Sequence, residues 1–126
     1  MEEINYLQLN KLNAYKISFD LSNYAWNIIP TWDILARKTI GEQFVRSLDS
    51  ISANIAEGFG RYFKKDKIHF YFYSRGSVYE SLDWLQKAKI RNLLTDEQYN
   101  HIFNQLKVLP REINSLIKFT REKLTI

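Results

Sequence analysis

Along almost the whole of this chain, apolar residues return every three or four positions, with only two prolines and four glycines to interrupt them. That spacing keeps one side of a helix apolar, and such sparse punctuation leaves room only for a few long elements. Four helical stretches follow. In the first, Leu7, Ala14, Ile17, Leu21, Tyr24 and Ile28 mark one face, predicting a helix from Asn10 to Asn27, and Pro30 biases Ile29 out of helical backbone. A short connection or helical turn from Thr31 to Lys38 leads to the second, where Phe44, Leu48, Ile51, Ile55 and Phe59 recur. Gly58 and Gly60 act as stop signals, so this helix is expected to end near Gly60.

The third stretch is expected to begin after Lys64-Lys65-Asp66-Lys67, with Ile68, Tyr71, Phe72, Val78, Tyr79, Leu82 and Leu85 along one side. Its aromatic run, Phe70 to Tyr73, also suits a strand, but the pattern continues for about six turns, beyond the length of ordinary strands. The fourth starts most clearly: Thr95 can cap while Gln98 reaches back, and Asp96 and Glu97 sit at the positive end of the helix dipole. Its face is Tyr99, Ile102, Phe103, Leu106, Ile113, Leu116, Ile117 and Thr120, and Pro110, which removes the donor to Leu106, is expected to kink it. Four amphipathic helices with short connections and no strand pattern predict an all-α, antiparallel up-down four-helix bundle, a single domain over residues 1–126.

A chain of 126 residues can bury one core without staples. Aromatic residues make up 15% of it, more than a narrow four-helix core needs, so some rings must lie outside. Large amphipathic rings on a helical surface suit subunit contacts, and a homo-oligomer is expected. The absence of cysteine excludes a disulfide framework, thiol nucleophiles and cysteine-ligated metals, and it fits a reducing compartment. The first ten residues carry two acids and no basic start, and no apolar run approaches the ~18 residues of a membrane span. The expectation is a cytoplasmic protein with no membrane partner.

Charge is unevenly placed. The net value is +4, yet from Arg61 to Arg91 eight basic residues face three acidic ones, a surplus of five that leaves −1 on the other 95 residues. Arg61, Lys64, Lys65 and Lys67 fall at a helix–helix junction with Tyr62 and Phe63 interleaved, a pattern that suits phosphate contacts and base stacking. Lys87, Lys89 and Arg91 form a second cluster, which a helix C-terminus explains through its dipole. A solvated loop accounts for the first cluster equally well. Without a base-reading element, any binding would be weakly specific and steeply salt-dependent.

Catalysis finds little support. His69 and His101 are the only histidines, and neither stands in a nucleophile arrangement. Asp66-x-x-His69 and Glu97-x-x-x-His101 have metal-like spacings, but a di-iron bundle needs two Glu-x-x-His pairs and two further glutamates. There is no P-loop or dinucleotide fingerprint. No enzyme, cofactor or metal is expected.

The run Ser50-Ile51-Ser52-Ala53-Asn54-Ile55-Ala56-Glu57-Gly58-Phe59-Gly60-Arg61 combines small residues, which allow close helix approach, with Asn54 and Glu57 at i, i+3. Arg75, Gly76 and Ser77 supply a matching thin region on the third helix. The expectation is that Glu57 pairs with Arg75, with Asn54 or Glu80 completing a polar network that sets register. A phosphate cradle at Gly58-Phe59-Gly60-Arg61 is less consistent, because a helix C-terminus presents carbonyls rather than N–H groups.

These same residues, with Arg75-Gly76-Ser77, Glu80 and Leu94-Thr95-Asp96-Glu97-Gln98-Tyr99, resemble the small bacterial four-helix-bundle proteins encoded within intervening sequences of 23S ribosomal RNA genes. The resemblance spans roughly Ile40 to Arg121 and departs at Ser52, where the family usually has proline, and at Val45, where a second arginine beside Arg46 is common. It implies a bundle that assembles into a ring similar to the family's pentamers. It also implies kinship with the accessory variability protein of diversity-generating retroelements, which works with a reverse transcriptase and binds nucleic acid through a basic surface. Five copies of a +4 chain would carry +20, turning a weak patch into a multivalent one. The combined expectation is a non-enzymatic homo-oligomeric scaffold that binds RNA or DNA, or else an adaptor that docks a polymerase or another protein.

Overall fold

The computed structural model describes residues 8–126; Leu7, the first position of the expected apolar stripe, lies outside them. Four long helices dominate: α1 (Asn13–Ile28), α2 (Glu42–Gly60), α3 (Lys64–Ile90) and α4 (Asp96–Lys123). Each packs on two neighbours, with α1 and α3 both set against α2 and α4. Chain directions alternate around the bundle. Across α2 and α3, Ile51 meets Ser74 and Ser47 meets Ser81; across α3 and α4, Lys64 meets Arg121 and Gln86 meets Tyr99.

The apolar stripes seal one core. Phe44, Leu48, Ile51 and Ile55 of α2 meet Tyr71, Val78 and Leu85 of α3, Ile102, Leu106, Leu109 and Ile113 of α4, and Leu21 of α1. Each such aliphatic side chain contributes about 1.5–3 kcal/mol on burial, so the stripe, rather than helix propensity, holds these helices in place. The Thr95 side chain accepts from the Gln98 N–H while the Gln98 side chain accepts from the Thr95 N–H, completing the expected capping box.

Local structure departs from expectation in instructive places. Ile29 stays helical (φ −58°, ψ −38°) because Pro30 sits in the first turn of a 3₁₀ segment, Ile29–Thr31, where its missing N–H has no partner to lose. The break falls at Trp32 instead, whose backbone is extended. Asp33 then caps a single helical turn, Ile34–Ala36, which runs through a π turn, Arg37–Gly41, directly into α2. α3 begins at Lys64, so the lysine cluster forms its first turn instead of preceding it. Helix α4 continues on both sides of Pro110. In α3 the buried stripe is Tyr71, Ser74, Val78, Ser81, Leu85 and Ala88, which leaves Phe72 and Tyr79 on the surface.

Serine marks the α2–α3 seam. The Ser74 hydroxyl donates to the Ile51 carbonyl at 2.7 Å, and the Ser81 hydroxyl donates to Ser47 Oγ at 2.9 Å. Small side chains with satisfied hydroxyls let the two backbones close without stranding a polar group. Gly58 marks the tightest point. A Cβ there would lie 2.8 Å from both the Lys67 carbonyl oxygen and Tyr71 Cε1, so this glycine serves close approach rather than helix termination.

Candidate nucleic-acid interface

At the α2–α3 turn, helix ends decide what the cations do. The last carbonyls of a helix lack intrahelical donors and carry the negative end of its dipole. Lys64 Nζ donates to the carbonyls of Arg121 and Leu124, closing the end of α4. Lys67 Nζ donates to the Phe59 carbonyl at 2.6 Å, closing the end of α2, and burial pushes its pKa below the ordinary lysine value. Arg61 binds the Glu57 carboxylate one turn back at 2.7 Å and lies over the Phe70 ring. Tyr62 and Phe63 are exposed and stack edge to face on each other, 5.0 Å between centroids. Of the four expected phosphate-binding cations, Lys65 is therefore the one with neither ion pair nor hydrogen bond among the described residues.

A second cationic feature, spread across two helices, was not read from the sequence. Between α3 and α4 a groove runs past Phe72, whose ring is 39% exposed. Lys64, Lys65, Ile68, His69 and Arg121 surround one side of that ring. On the other side stand Arg75, Asn114, Ile117, Lys118 and Glu122. The Arg121 guanidinium is 5.8 Å from the Phe72 ring centroid. Lys65, Arg75, Lys118 and Arg121 form no ion pair among the described residues. From Lys65 to Arg75 the α3 backbone rises roughly 15 Å, at about 1.5 Å per residue. The groove thus carries free cations on both walls with an aromatic ring between them. The one available sequence signal was Lys118 and Arg121 at i, i+3 beside the buried Ile117 and Thr120 of α4.

The expected polar network does not form. Glu57 is held by Arg61, Asn54 Nδ2 donates to the Ser50 carbonyl at 2.8 Å, and Glu80 accepts from Trp84 Nε1 at 3.1 Å. Arg75 faces the α4 side instead of Glu57. Glu57, Asn54 and Glu80 each find a partner four residues away along the chain, which requires less ordering than a bond across two helices. In the second basic cluster Lys87 pairs with Asp83 at 2.6 Å and Lys89 lies 4.2 Å over the Tyr99 ring. Register between α2 and α3 is set by the buried serines and by Gly58.

Among the described residues no helix is long and apolar enough to cross a membrane. The model of a family described as 23S rRNA-intervening sequence protein matches residues 10–115. A comparison with curated proteins finds no match.

Proposed function

The chain belongs to the family of 23S rRNA-intervening sequence proteins, and from that premise we propose that it is a non-enzymatic, homo-oligomeric scaffold that binds RNA or DNA with low sequence specificity through the α3–α4 groove. The observation that carries this reading is the gathering of Lys65, Arg75, Lys118 and Arg121, all without ion pairs among the described residues, around the exposed Phe72 ring. Phosphates meet the cations, and the ring offers a stacking surface. Lys64 and Lys67 are engaged with the carbonyl ends of α4 and α2, and Arg61 with Glu57; Tyr62 and Phe63, exposed at the α2–α3 turn, are secondary stacking surfaces.

Self-assembly is supported by Gly76. A glycine inside a helix costs about 1 kcal/mol relative to alanine, yet a Cβ at Gly76 would meet nothing within 4 Å. No intrachain contact calls for its small size, whereas approach of a second backbone from the Tyr73 side, leaving the groove open, would. Tyr73 on α3 and Ala53 on α2 are exposed as well. Five copies, the number the resemblance implies, would repeat the groove around one particle.

Electrophoretic mobility of structured RNA and of single-stranded DNA across a salt series tests the binding. Retardation at low salt that fades as salt rises is expected, together with its loss when Lys65, Arg75, Lys118 and Arg121 are all changed to Glu. No retardation at low salt refutes nucleic-acid binding. Native mass spectrometry reports the assembly, with Gly76→Arg expected to yield single chains; a wild-type monomer at micromolar concentration refutes the oligomer. The corner between α1 and α2, where Trp26, Ile34 and Leu35 are all exposed and Leu35 reaches 71%, favours a second reading, an adaptor for a protein partner such as a polymerase. That reading stands if RNA and DNA are both ignored.

A further inference from the structure

We infer that the α3–α4 groove takes a single, unpaired strand of nucleic acid rather than a duplex, with a base stacked on Phe72; this rests on the groove being a nucleic-acid site at all. The cations stand on both walls of a narrow seam between two antiparallel helices, Lys65 and Arg75 on α3 and Lys118 and Arg121 on α4, with Phe72 between them. A single strand lying in the seam brings one phosphate backbone within reach of both walls. A duplex presents two backbones separated by a groove roughly 6–12 Å wide, and its bases are hidden within the stack. Reading a duplex requires a helix or strand that enters that groove, whereas here both helices are packed side by side into the core and present a seam.

The aromatic ring decides the matter further. Phe72 is 39% exposed, with Ile68 and Ile117 lining the groove beside it. Against a duplex that ring would meet only sugars and phosphates, while against an unpaired strand it meets the face of a base. Arg121, 5.8 Å from the same ring, is placed to bind the phosphate next to the stacked base. The roughly 15 Å from Lys65 to Arg75 accommodates a few nucleotides per subunit, within the range of small single-strand sites.

Fluorescence anisotropy separates the possibilities with three labelled probes of about 16 nucleotides, an oligouridylate, an oligodeoxythymidylate and an RNA duplex. Either single strand should bind the full-length protein more tightly than the duplex, and the comparison of the two single strands assigns the sugar through its 2′-hydroxyl. Phe72→Ala should weaken single-strand binding between about fivefold and a hundredfold, leave duplex binding within about twofold, and be rescued by Phe72→Trp. Because the ring is partly exposed, circular dichroism of each variant should match the wild type. Equal or tighter duplex binding, or indifference of the single strands to Phe72→Ala, overturns this inference while the groove remains a nucleic-acid site. Indifference of all three probes to the Lys65, Arg75, Lys118 and Arg121 quadruple change overturns both.

Discussion

Helix α3 has two flanks built on opposite rules. Toward α2 it presents Ser74, Ser81 and the backbone beneath Gly58, and the two helices close until a single added carbon would collide with a carbonyl. Toward α4 it presents Lys65, Phe72 and Arg75, whose length and charge leave an open groove between the helices. The same helix, with the same 3.6-residue period, thus makes a dry seam on one side and a solvent-facing channel on the other. Side-chain size sets the distance, and hydration of the charged groups keeps the channel open, since an unpaired buried cation would lose several kcal/mol of solvation.

The contrast can be broken most severely at Gly58. Gly58→Ala gains about 1 kcal/mol of helix propensity, but the new Cβ meets a backbone carbonyl and the buried Tyr71 ring, neither of which can swing aside. A net loss of about 2–3 kcal/mol is expected from such overpacking, read as a lower urea midpoint. A wild-type midpoint would mean the seam is looser than described.

Tyr71 sharpens the comparison through pH. Burial holds its phenol well above the ordinary tyrosine pKa of 10.0. A raised folded-state value means that the unfolded chain releases this proton first, so its contribution is present below about pH 10 and is lost as pH climbs further. Stability measured by urea unfolding should fall between about pH 10 and 11.5, and Tyr71→Phe should flatten that fall.

The groove should be the quiet flank. Reversing Arg75 and Lys118 together to Glu should move stability by less than about 0.5 kcal/mol, since surface changes without ion pairs rarely do more. The same change should reduce the salt dependence of single-strand binding by about 0.7 in log–log slope for each phosphate deprived of its cation. A large stability change would show that these residues support the fold, which would weaken the groove's claim to be free for a ligand.

Much of this was legible from residue order, and the failures have identifiable causes. The four stripes, the Thr95–Gln98 cap and the end of α2 at Gly60 follow from spacing and local hydrogen bonding, both short-range properties. α3 starts at Lys64, ahead of the point the sequence predicts; three lysines at the positive end of a helix dipole are accommodated because Lys64 and Lys67 reach carbonyls of other helices, which no local rule anticipates. The aromatic run is helical, as the length of its pattern predicts, but Phe72 lies on the surface and not on the buried face, since serines rather than rings fill the α2 seam. The Glu57–Arg75 pair failed because a closer partner lay one turn away at Arg61.

Periodicity and punctuation alone determined that this chain is four helices with one core, because burying an apolar stripe is a demand each helix carries within itself. Which charges are free was decided only by the tertiary structure. A lysine is available or engaged according to the carbonyls and carboxylates that folding brings within about 3 Å of it, and those are set by helices dozens of positions apart. Folding closed helix ends with two of the lysines in the first turn of α3 and joined Arg75 to Lys118 and Arg121 across a groove that no stretch of sequence contains.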